Sequence, residues 1–196
     1  MIENRISLCG EKNMRVITGT ARGRKLETLE GEDVIRPTAD RVKEAMFSIV
    51  QFELENARVL DLFAGSGQLG IEALSRGAKI ATFVDSDRNA IEVIKSNLKK
   101  TELFQNSVVL SADSFNFAAR SKDEFDIILL DPPYNNDMVQ KSLPLVSPLC
   151  SQNGIVICET DSKEELPKVA DDLELIREYK YSNVKLTTYR KTQRGE

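Results

Sequence analysis

FDIILLDPPYNN ends an apolar run in a carboxylate, two prolines and an aromatic: Asp131, Pro132, Pro133 and Tyr134. The prolines stiffen the turn, so the Asp131 side chain and the Pro132 carbonyl become two acceptors held in fixed directions. Two fixed acceptors match the two hydrogens of an exocyclic amine on a nucleic-acid base. The lone pair of such an amine is delocalised into the ring. Hydrogen bonds from its N–H groups to Asp131 and Pro132 favour a more tetrahedral nitrogen and free the lone pair to attack a methyl group. Tyr134 would stack on the base. This is catalysis by positioning and electrostatics, and it needs no histidine. The plainer alternative is a strand end with a surface tyrosine.

A second stretch, DLFAGSGQLG, places Gly65, Gly67 and Gly70 at the spacing G-x-G-x-x-G, which alone is a weak sign of a dinucleotide loop. Asp61 decides against that ligand. A carboxylate four positions before the first glycine repels a pyrophosphate docked on the following helix and attracts a cation. S-adenosylmethionine carries an ammonium and a sulfonium and no phosphate. Asp85, in FVDSDR, can accept from both ribose hydroxyls, of NAD and of S-adenosylmethionine alike, and Asp113, in LSADSF, from an adenine amine. Phe63, Ser86 and Ser114 beside these residues complete the candidate cofactor contacts. Each aspartate taken singly reads more readily as a helix cap or turn residue than as a ligand contact; three at successive strand ends point to a ligand.

Composition narrows the chemistry. The chain has 196 residues, 41% hydrophobic and 30% charged, which suits one large globular domain. It contains no histidine, so His-dependent hydrolases and His-ligated metal sites are excluded. Three cysteines, Cys9, Cys150 and Cys158, show no C-x-x-C spacing, and no metal is expected. No apolar run nears the roughly 18 residues that span a bilayer, and the start lacks the features of a signal peptide. A cytoplasmic monomer is expected, with no membrane partner.

The net charge of −4 is unevenly spread. Lys12, Arg15, Arg22, Arg24 and Lys25 form one acid-free basic stretch, and Lys180, Lys185, Arg190, Lys191 and Arg194 gather near the other end. If the fold joins them they make a phosphate-facing patch; otherwise they are solvated surface.

These residues need a scaffold, and the hydrophobic pattern supplies one. After Asn56, β-type runs (ARVLDLF, IATFVD, SVVLSA, FDIILLD, GIVICE) alternate with helical ones (QLGIEALSRG, SDRNAIEVIKSNLKK, SFNFAAR, NDMVQKSLPLVSPL). That alternation predicts βαβ units and a doubly wound parallel sheet, with ligands at the carboxyl ends of the strands. LELIREYKYS and VKLTTYRK read as an antiparallel pair closing the sheet. Before it, RPTADRVKEAMFSIVQFE is expected to form a helix burying Val42, Ala45, Met46, Ile49 and Val50. RVITG and RKLETL are expected to pair as a small hairpin around TARG, and EGEDV to form a turn-rich link. The expected organisation is an irregular leader at 1–13, a hairpin extension at 14–36 and the main domain at 37–196.

The combination of D-P-P-Y with MRVITGTARGRKL, RPTADRVKEAMF, VLDLFAGSGQLGIEALSRGA and TTYRK resembles the bacterial 16S ribosomal RNA guanine-N2 methyltransferases of the RsmD type, from Met14 to about Lys191. The resemblance implies an α/β, Rossmann-like class I methyltransferase fold: a seven-stranded sheet with an antiparallel C-terminal strand and an N-terminal hairpin. It implies S-adenosylmethionine as cofactor and 16S rRNA, or a partly assembled small ribosomal subunit, as partner. By position, Asp61, Gly65, Gly67, Asp85 and Asp113 would bind cofactor, and Asp131 to Tyr134 the base. Arg22, Arg24 and Lys25, with Arg36 and Arg41 around RPTADR, would meet RNA. Asp85 stands where members often carry Glu, and Met14 is the expected initiator. D-P-P-Y serves either amine, so an N6-adenine methyltransferase on DNA or RNA is the alternative. A dinucleotide oxidoreductase and a non-catalytic RNA-binding assembly factor are the readings from other classes.

Overall fold

The computed structural model describes residues 14–29, 37–133 and 137–192. In chain order its elements are α1 (Pro37–Ile49), β1 (Arg58–Asp61), α2 (Gln68–Ser75), β2 (Ile80–Asp85), α3 (Arg88–Thr101), β3 (Ser107–Ser111), α4 (Ser114–Arg120), β4 (Phe125–Leu130), α5 (Met138–Val146), β5 (Cys150–Asp161), β6 (Val169–Ala170), β7 (Leu173–Tyr181) and β8 (Val184–Lys191). The strands form one sheet in the order β3-β2-β1-β4-β5-β8-β7-β6. Strands β1 to β5 run parallel. β8 lies antiparallel between β5 and β7, which closes the sheet as the sequence predicts. The two-residue β6 adds an eighth, edge strand to the seven expected.

Strand order reverses between β1 and β4, and that reversal opens a crevice at their carboxyl ends. Alternation along the strands divides the core into two layers. Val59, Ile127, Leu129, Ile155 and Ile157 face the layer that contains buried residues of α1, α2 and α3. Leu60, Ile128, Leu130, Val156 and Cys158 face the layer under α5. Cys158 is therefore a buried strand residue, and burial pushes its thiol far above the ordinary range. On α1, Val42 and Met46 are buried as expected, with Ala45 and Ile49 partly so, and Val50 is buried just past its end.

The N-terminal segment is simpler than a hairpin of strands. A single antiparallel bridge joins Arg15 to Lys25, and the turn between them packs on α2. The buried Glu72 carboxylate of α2 explains why it stays there. Its oxygens accept from Ile17 N at 2.7 Å and Thr18 N at 2.9 Å, and Arg76 Nε donates to it at 2.8 Å. Ser75 Oγ donates to Thr18 O and accepts from Ala21 N. A Cβ on Gly19, whose φ is +86°, would lie 1.7 Å from Ser75 O, so this turn admits only glycine at the contact. The expected EGEDV link and the 1–13 leader lie outside the described residues, as do Cys9 and Arg194.

Candidate active site

The crevice holds a cavity of about 720 Å³ bordered by the ends of β1, β2, β3, β4 and β5. Five carboxylates line it, Asp40, Asp85, Asp113, Asp131 and Glu159, and among the described residues no Lys or Arg does. A pyrophosphate would meet only like charge there, whereas a cation or a neutral base rich in N–H donors would not. Among the described residues no three acidic or cysteine side chains gather as a metal-holding cluster.

Asp61 lies beneath the glycine loop rather than on the cavity wall. It is buried, and its Oδ2 accepts from Gly70 N at 2.9 Å. Gly67, at the N-cap of α2 with φ +79°, has no side chain to take an orphan N–H, and Asp61 takes the third one from the strand below. Its Oδ1 is buried without a partner among the described residues. Burial, partly offset by the Gly70 N–H and reinforced by the Asp85 charge, pushes the carboxyl up to about 7. Gly70 serves packing: a Cβ there would lie 2.3 Å from the Phe83 ring.

Asp85 and Asp113 both line the cavity and both also bind backbone. Asp85 Oδ2 accepts from Gly65 N at 2.8 Å and Oδ1 from Asp87 N at 2.9 Å, which ties the end of β2 to the loop above β1. Asp113 caps α4 by accepting from Asn116 N at 2.8 Å. Ser86 and Ser114 border the cavity, but the Ser114 hydroxyl donates to Leu62 O at 2.6 Å, so it anchors the loop. Phe63 meets Phe115 edge to face, with centroids 6.0 Å apart, and the two rings form an apolar wall.

Asp131, Pro132 and Pro133 line the cavity past β4, the strand that pairs with β1. Tyr134 lies outside the described residues. Sequence reasoning missed several neighbours. Glu159 and Asp40 enter from β5 and α1, and Met14 and Leu29 bring the N-terminal segment into the wall. Asn97 of α3 is buried and clamps two pieces together: its Nδ2 donates to Ser66 O in the glycine loop and to Glu27 O, each at 3.0 Å, while Oδ1 accepts from Glu27 N. A buried amide within an otherwise amphipathic helix was the available signal.

The basic residues separate into exposed and engaged sets. Arg22, Lys25 and Arg41 are exposed. Arg24 donates to Lys100 O at 2.6 Å and pairs with Glu102 at 3.1 Å, so its guanidinium closes the end of α3. Arg36 lies outside the described residues. On β8, Lys185 is buried against Glu178 and Glu164 O, Arg190 pairs with Glu53, and Lys191 donates to Cys150 O. Each of those three residues is engaged by a partner within the fold.

The chain and its fold are matched in known proteins. Residues 14–190 match the family model described as Conserved hypothetical protein 95. YlbH of Bacillus subtilis, an rRNA methyltransferase by name, is 40% identical over 91% of this chain and 99% of its own. The ribosomal RNA small subunit methyltransferase D of Haemophilus influenzae is 35% identical over 78% of this chain and 81% of its own. A solved Escherichia coli structure, yhhF, a methyltransferase by name, superposes with a TM-score of 0.81 at 32% identity, covering 91% of this chain and 97% of that one. The chain belongs to the Conserved hypothetical protein 95 family and is an RsmD-type methyltransferase of class I fold.

Proposed function

We propose that this enzyme methylates the N2 amine of a guanine in small-subunit ribosomal RNA, with S-adenosylmethionine as donor. The observation that carries the reading is a carboxylate-lined cavity, free of basic side chains among its described residues, that spans from the glycine loop to Asp131 and Pro132. The names of the Bacillus and Haemophilus relatives support the rRNA substrate. A substrate of that kind is found in the cytoplasm.

The residues fit the donor. Gly65 and Gly67 adopt φ of +51° and +79°, leaving the loop backbone open to close approach, and a carboxyl oxygen of Asp61 without a partner among the described residues lies beneath it. Asp85 would take the ribose hydroxyls, Asp113 the adenine amine, and Phe63 with Ser86 and Ser114 would border the adenosine. When bound, S-adenosylmethionine supplies a methyl group made electrophilic by its sulfonium. At the other end, the Asp131 carboxylate and the Pro132 carbonyl accept from the two N2 hydrogens and hold the lone pair towards the donor. The Asp131 carboxylate then takes the proton that the nitrogen must shed. Tyr134 would stack on the base, and Arg22, Lys25 and Arg41, with Arg36, would meet RNA phosphates outside the acidic cavity.

The test is a nucleoside digest of small-subunit rRNA from cells lacking this protein, before and after incubation with enzyme and labelled donor. One N2-methylguanosine per rRNA should appear. Label in N6-methyladenosine would instead establish the adenine reading, and absence of label from RNA would reject both.

A further inference from the structure

We propose that Glu159 reads guanine, making it the specificity-determining residue of the site; the inference rests on the guanine-N2 reading above. Asp131 and Pro132 cannot choose a base, because any exocyclic amine offers them two hydrogens. The choice falls to whatever meets the adjacent ring nitrogen. In guanine that nitrogen, N1, carries a hydrogen. In adenine the nitrogen beside the amine carries a lone pair.

Geometry puts a carboxylate where this difference is felt. Leu130 of β4 pairs in parallel register with Cys158 of β5, so Asp131 and Glu159 each stand one residue beyond that pair. Strands in register lie roughly 4.8 Å apart, and equivalent positions face the same side. Leu129 and Ile157, two positions earlier, share one core layer, and Asp131 and Glu159 continue that face into the same cavity. Glu159 is half-buried there. A carboxylate is acceptor-only when ionised, so beside the amine it gains a hydrogen bond from guanine N1–H and opposes the adenine lone pair. Asp40, another carboxylate in the cavity, stands on α1 in the field of Lys43 and is not aligned with Asp131 by any strand register.

The experiment uses the full chain and an RNA fragment around the mapped nucleotide, carrying either guanine or 2-aminopurine at that position. 2-Aminopurine keeps the 2-amine but presents a lone pair at N1. Wild-type enzyme should favour guanine by about 10- to 100-fold in kcat/KM. In Glu159→Gln the side-chain amide donates as well as accepts, so the preference should fall to within a few-fold, with melting temperature and donor affinity unchanged. Equal use of both RNAs by the wild type, or an unaltered preference in a folded variant, overturns the inference. Should the Gln variant not fold, Glu159→Ala takes its place under the same criterion. Failure of the underlying reading looks different: the wild type would leave the guanine RNA unmethylated, and the inference would fall with it.

Discussion

The two ends of the cavity are both acidic, yet they are built differently. At the glycine-loop end, Asp61, Asp85 and Asp113 each accept a backbone N–H, from Gly70, from Gly65 and Asp87, and from Asn116. These carboxylates shape the walls they belong to. On the β4–β5 side, Asp131 and Glu159 each stand one residue beyond the paired Leu130 and Cys158. Capping and ligand binding are therefore not competing roles for an aspartate at a strand end. A carboxylate already aligned by one N–H retains lone pairs for a ligand, and it is held still at no further entropic cost.

The largest contrast should come from removing one acid at each end. Asp131→Ala should lower kcat by about 10²- to 10³-fold, the scale of losing one fixed group aimed at the reacting atom, with donor affinity within a few-fold. Asp85→Ala should do the reverse, weakening donor binding at least about tenfold through lost ribose contacts and a released Gly65 N–H. Calorimetric titration of the donor beside single-turnover kinetics measures both. Equal losses of affinity and turnover in both variants would show that the two ends act as one unit.

Asp61 allows a smaller and more particular test. Its ordinary value is 3.8, and burial in the folded protein raises it to about 7. Between those values the unfolded chain releases the proton first, so the stability this group contributes at low pH is lost as pH rises towards 7 and changes little above it. A cationic donor favours the ionised form, so its affinity should increase by a few-fold as pH rises through 7. Asp61→Asn keeps an acceptor for Gly70 N–H and removes the titration. Thermal melts and donor titrations from pH 5 to 8.5 should both flatten in this variant. A wild-type affinity that does not change with pH would separate Asp61 from the donor and leave it as a helix cap alone.

The sequence made the glycine loop and D-P-P-Y legible and left Glu159 hidden. The glycine loop and the aspartates at three strand ends are local signals, since each lies just past an apolar run. Glu159 has no such signal: GIVICE reads as an ordinary buried strand, and its importance arises from a register between β4 and β5 that no local pattern encodes. Asn97 offered only the signal of an amide in an amphipathic helix, since its partners, Glu27 and Ser66, lie 70 and 31 residues away. Charge clusters misled in the opposite direction. Two equal basic stretches looked alike, but partners supplied by the fold occupy Lys185, Arg190 and Lys191.

That difference between the basic segments yields the mildest prediction, and it extends the contrast from the cavity to the surface around it. Arg22 and Lys25 are exposed on a turn fixed to α2 by Glu72 and Ser75, so charge reversal at both should leave the fold intact. Each lost phosphate contact lowers the salt slope of RNA binding by about one unit, so the double variant should bind RNA more weakly with a slope reduced by about two. Arg24 is unsuited to that experiment, because it also holds Lys100 O and Glu102 and its reversal would disturb the end of α3. Neutralising Lys191, which donates to Cys150 O, should alter the melting temperature while the salt slope stays put. A slope unchanged by the Arg22 and Lys25 reversals would make the N-terminal turn a wall of the cavity through Met14 and no more.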